Sequence, residues 1–243
     1  MRFLCKNSSC VVTCFVCLGL PFLAQAATFT SYQAMNVQAN YCQRDIDTYQ
    51  ETYYSDSDSL YYSDGTIDAV ARSTVAQGAH AVSHMQSVIS DTALTVTGGA
   101  GASFVPFHEN DDGSASATNS FFVDFVITQN TQFTLHAQLY VDEQTIFEGS
   151  DHCYVNFFLR NTNGVIFGEY LTNNGITDAS INEAGTLTPG QYRLSVYVDA
   201  YATTLASYES GDYEIDFTLV PEPASLFLLT FGGMVCIWRR RNR

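Results

Sequence analysis

Lysine is all but missing from this 243-residue chain: the only one, Lys6, stands near the start. Between Ala27 and Leu219 the basic residues are Arg44, Arg72, Arg160 and Arg193, against 24 of the 25 acidic residues. That stretch therefore carries a formal charge of −20, four positive against 24 negative. Such a surface repels nucleic acid and anionic lipid head groups, so nucleic acid is excluded as a partner. Catalytic signatures are missing as well: there is no Gly-x-Ser-x-Gly elbow, phosphate loop or paired-cysteine metal site. Carboxylates are plentiful, but nothing in the order of residues sets two of them about a cleft as a glycosidase needs. No enzymatic activity and no cofactor are expected.

The two ends supply what the middle lacks. Arg2 and Lys6 precede an apolar stretch from Cys10 to Leu23, closed by Ala24-Gln25-Ala26. A positive flank, a short apolar core and small residues at the cleavage box make a secretory signal peptide over residues 1–26. Signal peptidase is expected to cut after Ala26 and leave Ala27 as the new N-terminus. Cys17 lies mid-core behind Phe15 and Val16, so lipid attachment is not expected.

At the other end, Val220-Pro221-Glu222-Pro223 is followed by an apolar run from Ala224 to Trp238 and then by Arg239, Arg240, Arg241 and Arg243. Prolines lack a backbone donor and disfavour helix before them, which keeps the peptide extended for a processing enzyme. The apolar run can enter a bilayer as a helix, and the arginines behind it stay on the cytoplasmic side. At 15 residues it falls short of the roughly 20 that a stable span needs, and Gly232 and Gly233 loosen it further. A temporary anchor fits that length better than a permanent one. In order, spacing and position this tail, residues 220–243, resembles the PEP-CTERM sorting signal. The resemblance implies a Gram-negative host that makes extracellular polysaccharide, and cleavage near Pro221–Pro223 by an exosortase, a membrane enzyme with a cysteine nucleophile. It implies a route through the inner membrane to the envelope, the outer surface or the medium.

The exported part, residues 27–219, is long enough for one domain with its own core. Strict alternation marks its strands: Phe133, Leu135, Ala137, Leu139 and Val141; then Cys153, Val155, Phe157 and Leu159; then Tyr192, Leu194, Val196 and Val198; then Tyr213, Ile215, Phe217 and Leu219. Phe121 to Ile127 and Val165 to Tyr170 are further candidates. Ala69 to Ser90 reads as two strands about Gly78, and Thr92 to Thr97 as one ended by Gly98-Gly99-Ala100-Gly101. Phe107 to Ser120 reads as a polar loop. Asn161-Thr162-Asn163-Gly164, Asn173-Asn174-Gly175 and Pro189-Gly190 are tight-turn signals. Gly185 to Leu194 resembles a hairpin found in exported sandwich domains that carry the same tail. Short alternating strands without a long amphipathic helix predict an all-β, antiparallel, jelly-roll-like β-sandwich, followed by the short C-terminal transmembrane helix at 224–238.

Few residues in the domain point to a ligand. Cys42 and Cys153, its only cysteines, suggest a disulfide in an exported protein, worth roughly 4–5 kcal/mol for a loop of about 110 residues; two unpaired thiols are the alternative. His80 and His84 have a zinc spacing only on a helix, and a strand is expected there. Asp56-Ser57-Asp58 and Asp111-Asp112-Gly113 would each serve a structural calcium or be plain solvated turns. Asp212, Glu214 and Asp216 share one strand face, as an exposed edge strand would arrange them. Tyrosine is dense at Tyr49, Tyr53, Tyr54, Tyr61 and Tyr62, either as a sugar-stacking platform or as ordinary strand residues. The expected role is structural or adhesive within extracellular polysaccharide, with carbohydrate recognition as the alternative.

Overall fold

The computed structural model describes residues 29–44, 51–63, 67–75, 78–106, 112–143, 151–172, 177–203 and 207–220. They form twelve strands: β1 (Phe29–Arg44), β2 (Glu51–Ser63), β3 (Ile67–Val75), β4 (Ala79–Ile89), β5 (Ala93–Phe104), β6 (Asp112–Ile127), β7 (Thr131–Glu143), β8 (His152–Asn161), β9 (Gly164–Thr172), β10 (Asp178–Leu187), β11 (Gly190–Ala202) and β12 (Ser207–Val220). Two six-stranded antiparallel sheets face each other, in the orders β2-β1-β6-β11-β8-β9 and β10-β7-β12-β5-β4-β3. Only the β1–β2, β3–β4, β4–β5 and β8–β9 connections stay within a sheet, and every other one crosses over. This is the expected all-β sandwich, with the crossing connections of a jelly roll.

Alternation places the core between the sheets. On β8, Cys153, Val155, Phe157 and Leu159 point inward, and on β11 Tyr192, Leu194, Val196 and Val198 do. The core is graded along its length. At one end Phe125, Tyr192, Phe217 and Phe133 interlock, with ring centroids 5.3–6.0 Å apart. At the other end most inward positions are small, Ala100, Ala102, Ala115, Ala117, Ala200, Ala202 and Gly211, with Phe104 and Glu209 buried beside them. A Cβ on Gly211 would stand 2.8–3.0 Å from Val198, Val155 and Cys153, so β12 has no room for a side chain at that point.

A polar bridge spans the gap between the two ends. Asn119 on β6 is fully buried; its Nδ2 donates to the His84 carbonyl at 2.7 Å, to Ser83 Oγ at 3.1 Å and to the Gly99 carbonyl at 3.3 Å. Its Oδ1 accepts the Tyr213 hydroxyl at 2.8 Å. One side chain of the first sheet is thus bonded to three strands of the second, a specific tie between otherwise apolar layers.

Four local expectations change. The Gly98–Gly101 tract does not end a strand: β5 runs through it, because Tyr213 and Asp212 of β12 occupy the space that Cβ atoms would take. Residues 112–120 form strand rather than loop, since Ala115, Ala117 and Asn119 alternate inward and β1 and β11 pair on either side. Asp56-Ser57-Asp58 lies inside β2, extended, and so makes no calcium-binding turn. β10 and β11 belong to different sheets, so Pro189-Gly190 turns a corner between layers instead of closing a hairpin. Tyr192 fixes that corner, its hydroxyl donating to the Thr188 carbonyl at 2.8 Å. The Asn161–Gly164 turn does close the β8–β9 hairpin: Gly164 has φ +141°, and Asn161 Oδ1 accepts the Asn163 amide at 2.8 Å.

Candidate functional site

The outer face of the first sheet carries rings where alternation calls only for polar residues. Along β8 the outward positions are His152, Tyr154, Asn156, Phe158 and Arg160; along β11 they are Arg193, Ser195, Tyr197, Asp199 and Tyr201. Tyr154 lies 5.8 Å from both Tyr197 and Tyr170 of β9, and His152 lies 5.3 Å from Tyr201. Asp199 Oδ2 accepts the hydroxyls of Tyr154 at 3.1 Å and Tyr197 at 3.3 Å. Burial first, and then the Asp199 charge, push both phenols above their ordinary value.

Further along the same face the Phe158 ring covers Gly168 of β9, where a Cβ would meet it at 2.6 Å. Arg193 holds Asp124 through two bonds of 2.6 Å and stands 4.3 Å above the Phe122 ring. Between these groups lies a shallow depression of about 240 Å³. Asn156 lines it, and the buried Asn156 Oδ1 has no hydrogen-bond partner.

The outer face of the second sheet is a trench of about 560 Å³ over Gly98, walled by His84, Gln138, Tyr140, Asp178, Asp212 and Glu214. β12 is a central strand between β7 and β5, not an edge, so its carboxylate row is accommodated by neighbours rather than explained by edge protection. Asp216 accepts Thr95 Oγ1 at 2.8 Å, and Asp212 stands 4.0 Å from His84 Nε2. Burial pushes the Asp212 carboxyl up, opposed by His84. His80 and His84 both point outward on β4, about 13 Å apart along the strand, too far to share a zinc ion. Among the described residues no group of three His, Cys, Asp or Glu side chains is placed to hold a metal.

Among the described residues, Tyr54, Tyr61 and Tyr62 do not form one platform. Tyr54 and Tyr61 are seven residues apart on β2 and so face opposite ways. Tyr61 is 64% exposed, whereas Tyr62 packs against the core. Tyr53 lies in β2 with its side chain outside the described residues, as is Tyr49 altogether. The strand order also keeps Cys42 and Cys153 apart. Cys42 is on β1 and Cys153 on β8, with β6 and β11 between them. Three strand spacings, roughly 14 Å, exceed the roughly 4.4–6.8 Å between Cα atoms that a disulfide allows.

Val220 is the last residue of β12, paired with Gln132 of β7, so Pro221 follows the sheet with no intervening linker. Pro221–Pro223, the Ala224–Trp238 run, Arg239, Arg240, Arg241 and Arg243 lie outside the described residues, as do Ala24, Ala26 and Ala27. Among the described residues no helix is long and apolar enough to cross a membrane.

The family model of the PEP-CTERM protein-sorting motif matches residues 219–241. The chain carries a PEP-CTERM sorting signal. The motif marks an exported protein, sorted by way of the membrane and processed by an exosortase. Among curated proteins no match was found. Solved structures similar in outline include that of Broad Bean Stain Virus (8% identity, 80% of this chain and 90% of that one, TM-score 0.25). Another is the VP2 subviral particle of infectious bursal disease virus (10% identity, 89% and 75%, TM-score 0.18). At these TM-scores neither likeness bears on function.

Proposed function

We propose that this is a non-enzymatic surface protein of a Gram-negative bacterium, released by its PEP-CTERM signal to work as a structural or adhesive component of extracellular polysaccharide. In this reading signal peptidase removes residues 1–26, the Ala224–Trp238 run holds the chain in the inner membrane, and exosortase then cuts near Pro221–Pro223. The observation that carries the reading is the motif at 219–241 joined directly to an all-β domain of charge −20. A domain of that charge stays soluble and avoids anionic head groups once it is cut free. Intact mass of the protein from membrane, medium and matrix fractions of its host tests the reading. The expected species begins at Ala27, ends near Pro221–Pro223 and is enriched with the matrix. A chain ending at Arg243 and confined to membranes would make the tail a plain anchor and remove the proposal.

A further inference from the structure

We propose that the outer strip along β8 and β11 binds a neutral polysaccharide chain; this names the matrix partner of the function above and rests on that reading. The strip runs from His152 to Arg160, eight residues or about 27 Å, long enough for several sugar units. A pyranose offers apolar C–H faces and an edge of hydroxyls that both donate and accept. Tyr154, Tyr197 and Phe158 offer ring surface to the faces, and Phe158 sits in the space that the missing Cβ of Gly168 leaves. For the hydroxyls there is a graded set of partners. Arg160 donates, and the buried Asn156 Oδ1, which has no protein partner, accepts. Ser195 lines the depression between them and does both.

Charge selects the kind of glycan. Arg160 and Arg193 are balanced by Asp124 and Asp199, so the strip is neutral inside a domain of charge −20. A polyanion would meet the repulsion of the whole domain with one cation to offset it, because Arg193 is already held by Asp124. A neutral chain meets no such field. The tyrosines singled out on β2 lack this arrangement, since they are divided between two faces.

Native gel electrophoresis of the full chain in detergent micelles tests the assignment, with hydroxyethyl cellulose, galactomannan or dextran as neutral polymers and alginate as the acidic one. Retardation by at least one neutral polymer is expected, with affinity weakened about tenfold or more in Tyr197→Ala and in Phe158→Ala. Tyr197→Phe, which keeps the ring, and Tyr61→Ala on β2 should bind within about threefold of the wild type, a difference of roughly 0.6 kcal/mol. Thermal melts of each variant separate lost binding from lost folding, and Gly168→Ala, which lifts the Phe158 ring, gives a second route to the same loss. Retardation by no neutral polymer, or retardation unchanged in the ring variants, overturns the proposal. Retardation by alginate alone, abolished by Arg160→Ala, also overturns it in favour of an acidic glycan. Co-fractionation with host matrix keeps the two readings distinguishable. If wild type and ring variants both partition to the matrix, the matrix role stands and the strip falls; if the wild type stays out, the matrix role itself falls.

Discussion

On the outer face of the first sheet the side chains above β8 and β11 are rings interleaved with balanced charges, whereas above β5 and β12 of the second they are carboxylates around a glycine floor. Both faces come from the same two-residue alternation, and each has a glycine at a decisive place. What differs is the neighbour that uses the vacated space. Gly168 is covered by one rotatable ring, that of Phe158, on the edge strand β9. Gly99 is covered by Asp212 and by the Gly211 backbone on a central strand, and Asn119 bonds its carbonyl from below. The first face can change locally. The second is fastened through the core.

Removing that fastening should have the largest effect. Asn119→Ala leaves the Tyr213 hydroxyl and the His84 carbonyl without a bond they now make, and should cost about 3 kcal/mol in urea unfolding of the full chain. A loss under about 1 kcal/mol would mean that the two faces are not mechanically different. The glycines give the next contrast. Gly99→Ala drives a Cβ to 2.7 Å from the Gly211 carbonyl oxygen and should cost about 2 kcal/mol. Gly168→Ala displaces only a side chain and should cost less than about 1 kcal/mol while disturbing the ring strip. Equal losses at the two sites would erase the distinction.

Titration sharpens it further. Tyr154, Tyr197 and Tyr213 are all pushed above the ordinary value of 10.0, each chiefly by burial. The folded state therefore keeps phenol protons that the unfolded chain gives up. Their contribution to stability is complete below pH 10 and is lost as pH climbs beyond it. Tyrosinate absorbance followed beside circular dichroism should show Tyr213, fully buried, ionising only as the fold is lost. The smallest effect belongs to Asp212. Its folded value is raised above the ordinary 3.8, so its charge costs stability at neutral pH, relieved as pH falls through the raised value. Asp212→Asn should gain about half a kcal/mol or less at pH 7 and nothing once the carboxyl is protonated, as denaturant midpoints at both pH values would reveal.

Alternation made β7, β8, β11 and β12 legible, because burial on one face enforces a period of two whatever the topology. It failed where the inward residues are small. Ala115, Ala117 and Asn119 carry too little hydrophobic contrast against Ser114, Ser116 and Thr118 to stand out, although they form the middle of β6. The glycines of β5 looked like a break because their reason for being there, Tyr213 and Asp212, is more than a hundred residues away. The ring strip has a signal in the sequence. Tyr154, Phe158, Tyr197 and Tyr201 sit on the polar phase of their own strands, where a purely solvated face would not put aromatics. Density of tyrosine along the chain does not make a platform, since β2 sets Tyr54 and Tyr61 on opposite faces.

The missing linker at Val220 also determines how the domain would bear load. A pull on the tail acts along β12, which is hydrogen-bonded to β7 on one side and β5 on the other. To slide out, that strand must break both ladders in shear, many bonds at once, instead of peeling them singly from an edge. While it is tethered, the domain therefore hangs from a strand held on both sides.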